Sequence, residues 1–116
     1  MQNTTTLKKN YEFRRLYAKG RSAVTPTLVI YTRRRKGAQN RVGFTVTTKL
    51  GHAVVRNRVR RRLREIYRLH ADELCRGADL VVVARSRSVS AAYRELERDF
   101  LKACGTLSLL REGEET

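Results

Sequence analysis

At residues 56–68 the chain reads RNRVRRRLREIYR, and seven of these thirteen residues are arginine. Apolar residues still recur here at the spacing of a helix, and they are Val55, Val59, Leu63 and Ile66. With about 100° of rotation per residue, they occupy an arc of about 80° on a helical wheel. The pattern predicts a helix over residues 53–69 that buries this stripe. Arg62 lies at the edge of the stripe, so we expect its stem to pack and its charged head to reach outward.

Beside the stripe, arginines repeat every four residues, at Arg56, Arg60, Arg64 and Arg68. Like charges at this spacing destabilise an isolated helix by roughly 0.2–0.5 kcal/mol per pair, so an acidic partner is the simplest reason for them. A solvated surface helix is the alternative, but such a face usually mixes both signs of charge and includes lysine. Guanidinium groups match phosphates and base edges better than a lysine ammonium does. The pattern therefore favours a nucleic-acid partner.

The composition predicts one basic domain over residues 1–116, because the net charge is +15 and the pI is near 11.0. No apolar run approaches the roughly 20 residues of a membrane-spanning helix, and residues 1–6 lack the apolar core of a signal peptide. We expect a cytoplasmic protein with no membrane contact and no evident protein partner. Residues 1–6 and the acidic residues 112–116 are expected to be loose. Cys75 and Cys104 are widely spaced, which favours two thiols over a disulfide or a metal site.

Periodicity and turn residues predict the other elements. They are a helix at 8–19 with Asn10 as its N-cap and Gly20 as its stop, strands at 27–32, 41–47 and 78–84, and a helix at 91–104 capped by Ser90 and ended by Gly105. Pro26 separates a short edge segment from the strand at 27–32. The strands at 27–32 and 41–47 are expected to form an antiparallel hairpin with one open, polar face. The order αβββαβα predicts an α/β sandwich with helices against a small, mostly antiparallel sheet.

Phe13, Leu16 and Tyr17 share one face of the predicted first helix. Leu16 is interpreted as a core residue. Phe13 and Tyr17 have two interpretations, as core residues or as a platform on which unstacked bases lie, as in proteins that bind single-stranded RNA.

The sequence offers no recognisable catalytic constellation. It has no Ser/His/Asp set, no glycine-rich phosphate loop and no clustered pair of carboxylates, and three of its eleven acidic residues lie within 112–116. A nuclease made of protein alone needs carboxylates or histidines around a metal ion or a water. If RNA is cut here, we expect the chemical groups to come from another molecule.

An ordered set of motifs carries a family resemblance. It includes Leu7-Lys8-Lys9-Asn10, then Phe13 ahead of Gly20, then Arg41-Val42-Gly43-Phe44, and then KLGHAVVRNRVRR at residues 49–61. The last run is similar to the pattern K-x-G-x-A-V-x-R-N-R-x-[KR]-R. Together they resemble the protein subunit of bacterial ribonuclease P over nearly the whole chain. The departures are Thr48, His52 and Arg62, where that family commonly has lysine, asparagine and leucine.

The resemblance implies a fold like the second domain of ribosomal protein S5, with a left-handed βαβ crossover around the basic helix. It implies two RNA partners, the catalytic RNA of ribonuclease P and precursor tRNA. The RNA, with Mg²⁺, would remove the 5′ leader, and the protein would bind and position the substrate.

The resemblance also implies roles for individual residues. The catalytic RNA would be bound by Lys49, Arg56, Asn57, Arg58 and Arg61. The leader would lie in a cleft between the first helix and the sheet, lined by Phe13, Tyr17, Tyr31, Arg60 and Arg64.

Two other functions are consistent with the composition. The first is a purely structural RNA-binding protein, such as a ribosomal protein or an assembly factor, which needs the charge but no aromatic cleft. The second is a sequence-specific DNA binder with the arginine helix in a major groove, which would require a helix-turn-helix or a dimer interface that the sequence does not indicate.

Overall fold

The computed structural model describes residues 4–7, 9–35 and 37–111. Its strands and helices in chain order are β1 (Thr4–Thr6), α1 (Asn10–Lys19), β2 (Arg21–Val24), β3 (Leu28–Arg34), β4 (Asn40–Thr45), α2 (Ala53–His70), β5 (Ala78–Ala84) and α3 (Tyr93–Thr106). From α1 onward this is the predicted αβββαβα order. Short 3₁₀ turns precede α2, follow it and precede α3, at Thr48–Leu50, Ala71–Glu73 and Ser86–Val89.

The strands form one mixed sheet in the order β1-β4-β5-β3-β2. β5 is central, antiparallel to β3 and parallel to β4, and the outer pairs are β2 with β3 (antiparallel) and β1 with β4 (parallel). Strand β5 is apolar on both faces, since Leu80, Val81 and Val82 are at most 1 % exposed. This burial confirms the central position that its continuous apolar sequence predicted.

Helices cover both faces of the sheet. Helix α1 packs on β3 and β5 on one face, where Leu7, Leu16 and Val81 form a small buried cluster. Helices α2 and α3 pack on the other face over the main core, to which the sheet contributes Ile30 and Val82. Because side chains alternate along a strand, successive residues of β5 point into the small cluster under α1 and into the main core under α2 and α3.

Helix α2 has nearly the predicted bounds and buries the predicted stripe. Val59, Leu63 and Ile66 are at most 3 % exposed, Val55 is half-buried, and Tyr67 is fully buried beside them. Tyr67 makes edge-on ring contacts with Phe44 and with Phe100 of α3. These contacts join the two helices and the sheet into one core.

The predicted hairpin of the strands at 27–32 and 41–47 is wrong. Strand β5 lies between β3 and β4, so the two are not neighbours in the sheet. The antiparallel hairpin is instead formed by β2 and β3 around Pro26, with Val24 opposite Val29. The sheet is consequently mixed rather than mostly antiparallel. β4, α2 and β5 form a βαβ unit with parallel strands, which is the unit that the resemblance expects to be left-handed.

Several element ends differ from the predictions. Thr4–Thr6, expected to be loose, form β1, because the strand pairs with Asn40–Val42 of β4. Asn10 lies inside α1, whose N-cap is Lys9; the Glu12 carboxylate accepts a hydrogen bond from the Lys9 backbone N–H at 3.3 Å. Gly20 ends α1 as predicted.

Helix α3 begins later and ends later than predicted. Its N-cap is Ala92 rather than Ser90, because the preceding 3₁₀ turn places Ala91 in the core and Glu95 accepts the Ala92 N–H. Gly105 lies within the helix, which continues to Thr106. The expected loose residues 112–116, and Lys8 at the start of the predicted first helix, lie outside the described residues.

Candidate nucleic-acid interface

Close packing of Phe13 on Gly43 holds α1 against the sheet. A Cβ atom placed on Gly43 would lie 2.6 Å from two carbons of the Phe13 ring. Leu16, one turn along α1, is 2 % exposed and packs with Val81 of β5. The small, polar face predicted to be open is therefore covered by α1 at Gly43 and becomes accessible only further along β4, at Thr45.

A cleft of about 430 Å³ follows one flank of α1. Four residues of α1 at spacing i, i+3, i+4 and i+7 form one wall, namely Asn10, Phe13, Arg14 and Tyr17. The opposite wall comes from the end of β4 and from α2, with Phe44, Thr45, Val46 and Arg60. The cleft thus combines aromatic rings, a hydroxyl and two guanidinium groups, the chemistry that binds single-stranded nucleic acid.

Two tyrosines adjoin this cleft. The rings of Tyr17 and Tyr31 are 5.0 Å apart at an interplanar angle of 77°, and the Tyr17 hydroxyl lies 2.9 Å from the Thr45 hydroxyl in a hydrogen bond. Tyr17 is 40 % exposed, so it is not a core residue, whereas Phe13 is half-buried and packs against the Leu16 cluster. Tyr17 is therefore the better placed of the two α1 aromatics to offer a ring face to a base.

Helix α2 places two of its arginines at the cleft. Arg60 lines it directly and donates a hydrogen bond to the Asn57 side chain at 2.9 Å. The guanidinium carbon of Arg64 lies 6.0 Å from the centroid of the Phe44 ring, within cation–π range. All five residues expected at the cleft are thus on its walls or in contact with a wall residue.

The residues expected to bind catalytic RNA lie at the start of α2 and in the turn before it. Arg58, Arg61 and Lys49 are exposed. Arg56 is half-buried, and its Nε donates to the Gly51 carbonyl at 3.1 Å. Arg56 therefore also stabilises the turn into α2, while Arg58 and Arg61 are turned to solvent.

Two arginines of α2 are engaged within the protein. Arg62 donates to the Ala91 carbonyl at 3.2 Å, so its head connects α2 to the segment before α3 instead of reaching outward as predicted. Arg68 donates to Glu65 at 2.6 Å, and this hydrogen bond is the main cause that lowers the pKa of Glu65. Arg68, the last of the four arginines that repeat every four residues, is thus neutralised by a side chain of its own helix.

An ion-pair network fixes the other flank of α1. Asp79 accepts hydrogen bonds from Arg35 at 2.8 Å and from Arg41 at 2.8 and 2.9 Å, and Arg41 also donates to Glu12 of α1. Burial opposes ionisation of Asp79, but the two arginines outweigh it and hold the pKa of Asp79 below its usual value. The network ties α1 to β4 and β5.

Comparison with known proteins identifies the family. The ribonuclease P family model matches residues 1–108. The chain is 40 % identical over 112 residues to the ribonuclease P protein component of Natranaerobius thermophilus, covering 97 % of each chain. It is 42 % identical over 96 residues to that of Clostridioides difficile, covering 82 % of this chain and 84 % of that protein. The chain belongs to the ribonuclease P protein family.

Solved ribonuclease P proteins share the fold. The Staphylococcus aureus RNase P protein superposes with a TM-score of 0.83 at 29 % identity, covering 91 % of this chain and 97 % of that one. The RNase P protein from Thermotoga maritima superposes with a TM-score of 0.77 at 25 % identity, covering 84 % of this chain and 92 % of that one. The α/β fold expected from the family resemblance is therefore confirmed.

The described residues also bear on the expectations about membrane spans, metal ligands and cysteines. Within residues 4–7, 9–35 and 37–111, no helix is long and apolar enough to cross a membrane. In the same ranges, no group of three or more His, Cys, Asp or Glu residues is arranged to hold a metal ion. Cys75 and Cys104 are free thiols, and burial raises the pKa of Cys104 to about 12.

Sequence reasoning missed part of the cleft. Arg14 follows the same helical spacing as Phe13 and Tyr17, so a helical wheel centred on those aromatics would have found it. Phe44 and Val46 belong to the apolar set of the strand predicted at 41–47, and nothing in the local pattern shows that these side chains meet the cleft where β4 ends.

Proposed function

We propose that this chain binds the catalytic RNA of ribonuclease P and the 5′ leader of precursor tRNA, and so assists endonucleolytic removal of the leader. The observation that carries the proposal is the cleft of about 430 Å³ beside α1, which is lined by the exposed Tyr17 ring, the Phe44 ring and Arg60. A protein that only coats RNA needs positive charge but no aromatic groove of this kind. Membership of the ribonuclease P family adds the substrate class.

The two RNA partners would contact different sides of α2. Arg58, Arg61 and Lys49 face solvent at its start and would contact phosphates of the catalytic RNA. Arg60 faces the cleft and would contact the leader. Asn57 accepts the Arg60 hydrogen bond, so it lies at the boundary between the two surfaces and would hold Arg60 in position for the leader.

The RNA, with Mg²⁺, would carry out the hydrolysis. Within the described residues, no group of three or more His, Cys, Asp or Glu side chains is arranged to hold a metal ion. The protein would contribute affinity, by neutralising phosphates, and orientation of the leader relative to the cleavage site.

The test compares precursor tRNA with mature tRNA. Replacing the exposed Tyr17 with alanine should weaken holoenzyme binding to precursor tRNA and leave binding to mature tRNA unchanged. Tyr17→Phe is the matched control, because it removes the hydroxyl bonded to Thr45 and retains the ring. An equal loss of affinity for both RNAs would contradict the proposal, because the contribution of the Tyr17 ring would then not depend on the leader.

A further inference from the structure

A second groove, of about 420 Å³, follows the opposite flank of α1. Its lining includes five arginines and two carboxylates: Arg15, Arg33, Arg34, Arg35, Arg41, Glu12 and Asp79. The lining therefore carries an excess of three positive charges. Tyr11, which is 53 % exposed, adds an aromatic ring at the rim.

Some arginines of this groove are paired with a carboxylate and others are not. In the sheet register, Asp79 of β5 is the partner of Arg33 on β3 and of Arg41 on β4. Both Asp79 oxygens are already used, Oδ1 by Arg35 and Arg41 and Oδ2 by Arg41. Arg33 is thus the register partner of Asp79, but Arg35 and Arg41 make the hydrogen bonds to the Asp79 carboxylate.

Three guanidinium groups remain available to a ligand. Among the described residues, Arg15, Arg33 and Arg34 have no side-chain hydrogen bond and no ion pair, and all three are exposed. Arg15 lies on α1 and the other two lie on β3, so they approach the groove from two sides. The two carboxylates of the groove are bonded to Arg35 and Arg41, so the mutual repulsion of the three remaining cations would be offset by phosphate groups between them.

We propose that this arginine groove, lined by Arg15, Arg33 and Arg34 with Tyr11 at its rim, binds the phosphates of single-stranded leader RNA upstream of the leader cleft. The inference rests on the proposed function, since it requires the leader to occupy the cleft on the other flank of α1. A helix is about 10–12 Å across with its side chains, so a strand that leaves the cleft reaches the groove within a few nucleotides. Tyr11 would stack with one base, and the arginines would contact the flanking phosphates.

The experiment measures affinity of the holoenzyme for precursor tRNAs with a short leader, which ends in the cleft, and a long leader, which extends beyond it. The unaltered protein should bind the long-leader RNA more tightly. Combined replacement Arg15→Gln, Arg33→Gln and Arg34→Gln should abolish this gain and leave short-leader affinity unchanged. For the long leader, the slope of log K against log salt should become shallower by about 0.7 for each phosphate that the variant no longer neutralises.

Two further variants control for charge and folding. Replacing Arg76, Arg94 and Lys102 with glutamine removes the same charge from other exposed positions and should preserve the gain from the long leader. Replacing the three groove arginines with lysine retains charge and should preserve most of the salt slope. A glutamine variant that keeps the full gain, or that loses short- and long-leader affinity equally, would overturn the proposal.

The result also separates this inference from the proposed function. If the unaltered protein does not distinguish a short leader from no leader at all, the cleft itself fails as a leader site. If it distinguishes those two but gains nothing from a longer leader, the cleft stands and the groove is rejected.

Discussion

Gly43 of β4 and Phe13 of α1 are in direct contact, with no room for a side chain on the glycine: a Cβ there would lie 2.6 Å from two ring carbons. This contact sets the height of α1 above the sheet, and α1 separates the leader cleft from the arginine groove. The position of both candidate RNA surfaces therefore depends on this contact, together with the packing of Leu16 and the Asp79 network.

Gly43→Ala should displace Phe13 and lower both stability and precursor-tRNA affinity. Overpacking of this kind costs about 1–3 kcal/mol in the free energy of unfolding, measured by urea denaturation. Gly105→Ala is the matched control, because the nearest atom outside its neighbourhood would lie 3.7 Å from the new Cβ, and alanine in a helix stabilises by roughly 0.5–1 kcal/mol relative to glycine. Equal stability of the Gly43→Ala variant and the unaltered protein would contradict the account.

Asp79→Asn should destabilise the protein by about 1–3 kcal/mol, because it leaves Arg35 and Arg41 without their shared carboxylate. Since the folded-state pKa of Asp79 is lowered, its contribution is present above the unfolded-state pKa and is lost as pH falls through the folded-state pKa. The variant should therefore show a shallower loss of stability in acid, as measured by urea denaturation at several pH values.

Asp72→Asn serves as the control for removal of a carboxylate. Asp72 is exposed, and its side chain makes no ion pair within the described ranges. If both variants change stability in acid by the same amount, the Asp79 network does not hold α1 as described.

His70 joins the end of α2 to α3, because its ring nitrogens lie 2.6 Å from Glu97 and 2.7 Å from Glu73. The hydrogen bond with Glu97 is the main cause that raises the pKa of His70, and burial opposes it. A raised folded-state pKa contributes stability that is complete below the unfolded-state pKa, about 6.5, and that is lost as pH rises through the folded-state pKa.

Glu97→Gln should therefore cost about 1.5 kcal/mol of stability below pH 6.5 and progressively less at higher pH. Glu73→Gln should produce a smaller effect, since Glu97 is the stronger cause. NMR titration of the His70 ring would check the pKa directly. A Glu97→Gln variant whose His70 titrates at the same pH as in the unaltered protein would refute the assignment.

Arg58→Gln should weaken binding to the catalytic RNA and make its salt dependence shallower by roughly 0.7–0.9 in the log–log slope, as expected when one phosphate is no longer neutralised. Arg94→Gln removes an equivalent exposed charge from α3 and should leave assembly unchanged. Circular dichroism should be the same for both variants. Arg56→Gln is less informative, because Arg56 also bonds the Gly51 carbonyl. Unaltered assembly of the Arg58→Gln variant would exclude this residue from the RNA interface.

The sequence predicted features that depend on local pattern. The apolar stripe of α2 and the continuous apolar run of β5 each define one element, and both were located within a residue or two. The predicted hairpin is wrong because β3 pairs with β5. That pairing depends on contacts between residues that are far apart in the chain, such as Ile30 and Val82. Two consecutive alternating strands carry no local signal that a third strand separates them.

For the candidate site, only the positions of the residues can be compared, and their roles stay predictions. The resemblance supplied Tyr17 and Arg60, and the structure places both at one cleft. The arginine groove was not predicted, because it is assembled from α1, β3, β4 and β5. The predicted strand ended at residue 32, although Arg33 and Arg34 belong to β3.

The most direct test of the central claim is cleavage of precursor tRNA by ribonuclease P RNA at low Mg²⁺, with and without this protein. We expect the protein alone to cleave nothing and to raise kcat/KM of the RNA strongly. If the protein binds the RNA but changes neither KM nor the Mg²⁺ requirement, it is a structural RNA-binding protein and the account of the leader cleft is wrong.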